Sequence, residues 1–115
     1  YPFSKGINIE FPKAGDNLVM FYANRPMNVS EIDALISGTN SPTLTYSIKY
    51  STGRQGIVGT ELNVGGIAIQ NQNTGDRQLT FNNAYISGNT YVFVQILATG
   101  GDPKQLSLTT YLNYI

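Results

Sequence analysis

The fold is decided by the stretch TLTYSIKY at residues 43–50, in which apolar and polar side chains alternate without a break. Its four large apolar residues fall on one side of an extended chain, and its threonine, serine and lysine residues fall on the other. This period of two predicts a half-buried β-strand. Residues that break regular structure stand on both sides of it, Ser41-Pro42 before and Gly53 after.

The same alternation continues in both directions and predicts about eight strands. They cover residues 5–11, 18–23, 27–37, 43–50, 62–69, a short strand that begins with Leu79 and Phe81, 91–97 and 106–115. The strands at 18–23 and 91–97 are apolar on both faces, so we expect both to be covered on both sides and the latter to be central.

Two of these strands change phase along their length. We expect a β-bulge near Ser30-Glu31 and a bend at the glycine pair Gly65-Gly66. Turn-forming residues occupy the connectors at residues 12–17, 37–42, 73–76 and 100–103. Residues 30–36 begin with a capping pattern, but the run is short and rich in weak helix formers, which favours a strand.

The chain is therefore predicted to be a single all-β domain spanning residues 1–115. Two packed antiparallel sheets, in a β-sandwich of jelly-roll or Greek-key type, bury the apolar faces of about eight strands. The residues expected to be mostly buried are Leu44, Tyr46, Ile48, Phe81, Val92, Phe93, Val94 and Leu108.

Composition excludes several classes of function. The chain has no Cys and no His, so zinc, copper and iron–sulfur sites and histidine-assisted nucleophiles are not expected. Seven basic residues balance seven acidic ones without a basic stripe, which disfavours nucleic acid as a partner. No apolar run approaches the ~20 residues that span a membrane as a helix. No cofactor is indicated.

The remaining polar motifs do not point to catalysis. Glu31 and Asp33 are spaced to share a strand face, as a glycosidase pair would be, but we interpret them as a solvated acidic edge or bulge. Residues 71–76 lack the ligand alternation of a calcium loop and are interpreted as a polar hairpin loop. The glycine-rich stretch at 53–59 lacks the features of a phosphate cradle. We expect the chain not to be an enzyme.

Aromatic residues are the candidates for an interface, since eight tyrosines and five phenylalanines are many for 115 residues. Tyr1 and Phe3 flank a proline in a segment, residues 1–17, that is predicted to be an N-terminal arm or edge strand, or to close the domain's own core. Arg54 lies in the glycine-rich stretch. Tyr111 and Tyr114 fall on opposite faces, so at least one should be exposed. Because the chain begins with Tyr1, we expect a processed chain or a piece of a longer one.

From Val29 to the end, roughly three-quarters of the chain, the sequence resembles small β-sandwich virion proteins of tailed bacteriophages. The resemblance rests on residues 37–50, Gly59-Thr60-Glu61, Gly65-Gly66, Phe81-Asn82-Asn83-Ala84 with Ile86, and residues 88–94. It implies a component of the outer surface of a virion and brings no catalytic motif.

What the resemblance implies in detail is a capsid decoration or cement protein, bound to the major capsid protein and to copies of itself. A homotrimer is expected before a dimer, because such proteins sit on local symmetry axes of the shell. One alternative is a receptor- or glycan-binding domain of a phage tail fibre or tailspike, which would bind a host-surface glycan. Another is a carbohydrate-binding module that is not viral.

Overall fold

The computed structural model describes residues 2–53, 59–70 and 75–115, and the regular elements in these ranges are all β-strands. They are β1 (Pro2–Glu10), β2 (Asn17–Ala23), β3 (Met27–Ser51), β4 (Thr60–Glu61), β5 (Ile67–Gln70), β6 (Asp76–Gln78), β7 (Tyr85–Ile86) and β8 (Thr90–Tyr114). All their pairings are antiparallel. The described residues contain no helix that is long and apolar enough to cross a bilayer.

Two strands of 25 residues each, β3 and β8, pair with one another along almost their whole length. The ladder slips between Thr39 and Thr43, where three residues of β3 bulge opposite Gly101 of β8. Asn40, Ser41 and Gly101 have φ values of 60°, 51° and 63° at this point. Backbone of this kind kinks a strand, so we name this part of the ribbon the corner.

The corner corrects one expectation, namely that residues 37–42 and 100–103 are separate turns. The residues with positive φ are indeed there, but they lie opposite each other in two paired strands. The hydrogen-bonded ladder therefore continues beyond them, and the predicted strands at 27–37 and 43–50 are one element, as are those at 91–97 and 106–115.

The corner divides the ribbon into two layers. Sheet I consists, in order, of β1, residues 102–114 of β8, residues 27–39 of β3, and β6 with β7. Sheet II consists of β2, residues 90–100 of β8, residues 43–51 of β3, and β5 with β4. This order is that of a jelly roll, so the predicted fold class is confirmed.

One core of buried residues lies between the two sheets. Seven of the eight predicted core residues are buried, and Phe81 is half-buried against that core. Across the interior, the Thr110 hydroxyl of sheet I lies 4.0 Å from the Met20 sulfur of sheet II. The inward-facing residues of the core cluster are Ile9, Ala23, Met27, Val29, Ile32, Ala34, Ile36, Leu44, Tyr46, Ile48, Leu62, Ile69, Ile86, Val92, Val94, Ile96, Leu106, Leu108 and Leu112.

The predicted phase changes are confirmed, whereas the predicted strand at Leu79 is wrong. The register shifts between Val29 and Glu31, and a tight turn runs through Gly65-Gly66 with φ values of 83° and 84°. After β6, residues 79–84 join no ladder. Side-chain amides hold this segment instead: Asn63 donates to the Thr80 carbonyl at 2.9 Å, and Asn82 accepts from the Val64 amide at 2.8 Å.

Candidate interaction surfaces

The edge strand β2 carries an exposed apolar surface. Leu18, Val19 and Tyr22 are 39%, 49% and 47% exposed. Val19 pairs with Phe93 and Tyr22 with Tyr91 on the outer face of sheet II, and the rings of Tyr22 and Tyr91 lie 4.9 Å apart. We call Val19, Tyr22 and Tyr91 on this face the β2 patch; Leu18, which pairs with the core residue Val94, is exposed on the other face of the same strand.

The β2 patch corrects the expectation that strand 18–23 is covered on both sides. The strand does cover the core with one face, since Met20 and Phe21 pack against it. Its other face is partly exposed, and its outer edge forms no ladder in the described chain, because β2 pairs only with β8, although β1 passes near the strand. The doubly apolar pattern that predicted burial is satisfied on one side only.

Phe93 shows how a residue on the outer face can still be buried. It is 1% exposed although its neighbours Val92 and Val94, not Phe93 itself, belong to the core cluster. Val19 and Lys49 stand opposite it on the two adjoining strands, and the Tyr91 ring lies 6.3 Å away. The exposed side chains of the β2 patch therefore pack beside the buried ring of Phe93.

The other edge on this side of the sandwich, β1, is built differently. It begins with Pro2 and carries Lys5 and Glu10, which are residues that discourage pairing of an edge with another chain. The seven residues of β2 include no charge and no proline. Apart from the register shift at Met20, β2 lacks these protections.

The candidate residues Phe3 and Tyr114 are brought together at one end of sheet I. Their rings lie 4.5 Å apart, and the guanidinium carbon of Arg25 lies 4.3 Å from the centre of the Tyr114 ring. Phe3 packs against the core from β1, opposite Leu112. In this structure the N-terminal segment is thus an edge strand of the domain's own sheet from Pro2 to Glu10.

The candidate residue Tyr111 lies elsewhere, on the outer face of sheet I, where it is 40% exposed. Its backbone carbonyl accepts a hydrogen bond from the Ser30 hydroxyl at 3.1 Å. The two remaining candidates, Tyr1 and Arg54, lie outside the described residues. The sequence did not single out the β2 patch as an interface, although the doubly apolar pattern of 18–23 was the signal for it.

Glu31 and Asp33, which the sequence placed on one strand face, form a cluster with Arg77 on the outer face of sheet I. The Arg77 Nε atom lies 3.3 Å from Oε2 of Glu31 and 3.8 Å from Oδ1 of Asp33. A hydrogen bond to Asp33, and secondarily burial, raise the pKa of Glu31 above its ordinary value of 4.5, against the opposing effect of Arg77. Both carboxyls contact the one guanidinium of Arg77, which is the arrangement of an ion-pair cluster on a sheet surface.

This cluster gives a testable dependence of stability on pH. The raised pKa means that folded protein holds the Glu31 proton more tightly than unfolded protein. The resulting stabilisation is present at acid pH and is lost as pH rises through the folded pKa. Glu31→Gln keeps a donor to Asp33 at every pH, so wild-type melting temperature should fall relative to that of the variant as pH rises above 4.5. Thermal melts in matched buffers measure this.

Glu10→Gln, on the polar edge β1, is the control for the change in net charge, and it should leave the wild-type pH profile in place. Parallel profiles for wild-type protein and Glu31→Gln would contradict the assignment.

No group of three or more acidic side chains that could hold a metal ion occurs in the described ranges.

No protein-family model matches this chain, and no curated protein matches it by sequence. Solved structures do. A chain in the capsid asymmetric unit of cyanophage Pam1 superposes with a TM-score of 0.55 and 10% identity, over 100% of this chain and 84% of that chain. The fold is shared with a phage capsid chain.

Two further structures align at lower similarity. A chain of the disulfide-linked pili of Bacillus endospore appendages has a TM-score of 0.45 and 14% identity, over 98% of this chain and 87% of that one. A chain of infectious bursal disease virus, Gx strain, has a TM-score of 0.42 and 12% identity, and 97% of this chain spans 33% of it.

Proposed function

We propose that this chain is a structural protein of a bacteriophage virion, and specifically a decoration or cement protein on the outer surface of the head shell. Its partners would be the major capsid protein and copies of itself. The fold shared with a capsid chain supports a structural role. The two chains are also similar in length, because the alignment takes up all of this chain and 84% of the Pam1 chain. The matched capsid component is itself a small chain.

The observation that carries the proposal is the β2 patch. An uncharged edge strand with three large apolar side chains 39–49% exposed is a template for association through backbone hydrogen bonds and apolar contact. Each of these side chains is already about half buried, so covering its remaining exposed surface contributes roughly half of the ~1.5–3 kcal/mol that full burial of a large apolar side chain gives. A partner that covers the β2 patch therefore supplies a substantial part of the free energy of docking.

Attachment through this patch would stabilise a shell by mass action. A protein that binds the assembled lattice and not the free capsid subunits stabilises the lattice by an amount that grows with the logarithm of its concentration relative to its Kd. In a symmetric shell one docking contact is repeated at every equivalent position. A weakly charged protein, with seven basic and seven acidic residues, is suited to close packing among such neighbours.

The proposal is tested with Val19→Lys. A lysine on an edge strand is tolerated by the fold and opposes pairing with another chain, so binding to shells that lack this protein should fall by about tenfold or more with little change in melting temperature. Co-sedimentation with the shells measures binding. Leu79→Lys is the matched control, because Leu79 is 58% exposed and lies outside every strand. Equal binding by wild type and Val19→Lys would refute docking through the β2 patch.

The alternative assignment, to a tail fibre or tailspike, is separated by copy number. Gel densitometry of the purified particle gives many copies for a head protein and few for a tail protein. A low copy number together with intact self-association would overturn the head assignment while leaving the β2 patch as a contact between copies.

A further inference from the structure

A groove runs across the outer face of sheet I, on the side of the sandwich opposite the β2 patch. Its volume is about 270 Å³, and its lining includes Asp33, Leu35, Arg77, Ser107 and Thr109. The floor is the middle of β3, and the walls rise from β6 and from β8. Gly75, which immediately precedes β6, comes so close that a Cβ there would stand 2.9 Å from the Ala34 carbonyl oxygen.

Hydrogen-bonding groups of both kinds converge in this groove. Asp33 stands directly opposite Arg77 in the ladder, and the Arg77 side chain is 66% exposed, so part of its guanidinium remains open to a ligand. Within the described chain, no hydrogen bond occupies the hydroxyls of Ser107 and Thr109. A carboxylate accepts hydrogen bonds from hydroxyl groups, and a guanidinium beside it donates hydrogen bonds to them, so the pair can hold two neighbouring hydroxyls at once.

An exposed aromatic ring stands beside the groove on the same face. Tyr111 follows Thr109 by two residues, which is roughly 6.6 Å along a strand and about the width of a sugar ring. Across the ladder Tyr111 stands opposite Glu31 on β3 and Ser4 on β1, and Gly6 stands beside Thr109, so only small residues flank the ring on the β1 side. A flat aromatic surface of this kind accepts the apolar C–H face of a sugar ring.

We propose that this groove, together with Tyr111, binds a neutral saccharide. Vicinal hydroxyls of one sugar ring bind Asp33 and Arg77, the hydroxyls of Ser107 and Thr109 bind its edge, and the next ring stacks on Tyr111. A cavity of about 270 Å³ is close to the lower limit for small-molecule sites and suits one or two sugar units. The inference does not depend on the proposed attachment to a shell.

The charge of the groove favours a neutral ligand over an anionic one. Glu31, Asp33 and Asp76 lie in or beside it, and Arg77 is the cation among its lining residues. Three carboxyl groups against one guanidinium make this face acidic, and like charges repel an anionic sugar or a phosphate over these distances. Glu31 and Asp33 lie two residues apart on β3, which puts both carboxyls on this face.

The test is a titration of the whole chain with methyl glycosides of glucose, galactose, mannose and N-acetylglucosamine, and with lactose, followed by amide chemical shifts in NMR spectra. We expect at least one of these sugars to shift the amides of residues 107–111 and of Asp33 at millimolar concentration. Sialyllactose is the anionic comparison and should bind more weakly than lactose. Asp33→Asn and Tyr111→Ala should each weaken binding by about tenfold.

Tyr22→Ala is the matched control, because Tyr22 is a tyrosine of similar exposure on the opposite sheet. It should leave sugar binding unchanged, because Tyr22 belongs to the β2 patch and not to the groove. The sugar titration can therefore fail while docking through the β2 patch holds, and the reverse. Thr109→Val gives a second test if Asp33→Asn does not fold. The inference is overturned if no neutral sugar shifts these amides, if sialyllactose binds more tightly than lactose, or if folded Asp33→Asn, Tyr111→Ala and Thr109→Val bind like wild type.

Discussion

Gly101→Ala should lower the free energy of unfolding by roughly 3 kcal/mol or more. Gly101 has a φ of 63°, where an alanine is strained, and a Cβ there would overlap the Asn40 carbonyl oxygen and stand 3.1 Å from the Cα of Pro42. The two long strands must separate at the corner to make room. Chemical denaturation measures the change, which corresponds to about 10 °C or more in melting temperature.

Gly15→Ala is the control that separates strain from overlap. Gly15 also has a positive φ, 97°, but a Cβ built there meets nothing within 4 Å. Its cost should be that of backbone strain alone, about 1–2 kcal/mol. If both variants lose the same stability, the close approach at the corner is not what holds the ribbon in its bend.

Leu108→Ala should destabilise the domain by about 3 kcal/mol. Leu108 is 1% exposed on the central strand β8, with Ile7 of β1 on one side and Ala34 of β3 on the other. Removing its side chain leaves a cavity between strands that are hydrogen-bonded on both sides and so cannot collapse easily. Urea denaturation of wild type and variant, with equal slopes, gives the difference directly.

Leu35→Ala is the matched control, because Leu35 lies on the adjoining strand with its side chain 46% exposed on the outer face. It should cost well under about 1 kcal/mol. A loss at Leu108 no greater than that at Leu35 would show that the interior of sheet I is not packed as described.

Much of the fold was predictable because it follows from local pattern. The stretch 43–50 alternates so regularly that only an extended strand puts all its apolar side chains on one face. Leu44, Tyr46 and Ile48 are buried as expected. The slip of phase at Ser30-Glu31 predicted a bulge that the ladder shows between Val29 and Glu31. Each of these inferences depends only on the alternation of side chains along one strand.

The candidate surfaces were predictable only in part. Tyr111 and Tyr114 were expected to include an exposed residue, and both are about two-fifths exposed. The partners of these residues were not visible in the sequence: Phe3 meets Tyr114 from the other end of the chain, and Arg77 meets Asp33 from a strand 44 positions away. Contacts at such separations depend on which strands pair, and residue pattern does not specify pairing.

The sequence by itself determined that this chain forms strands, which of their faces are apolar, and where the backbone needs positive φ, because these are properties of a few neighbouring residues. Only the tertiary structure decided what those features do. The residues at 40–41 and 101 have turn conformations in either case, but placed opposite each other they bend one continuous ribbon into two sheets. That bend makes β2 an edge strand with an exposed apolar face and opens the groove over β3, since both depend on which strand ends a sheet and which crosses it.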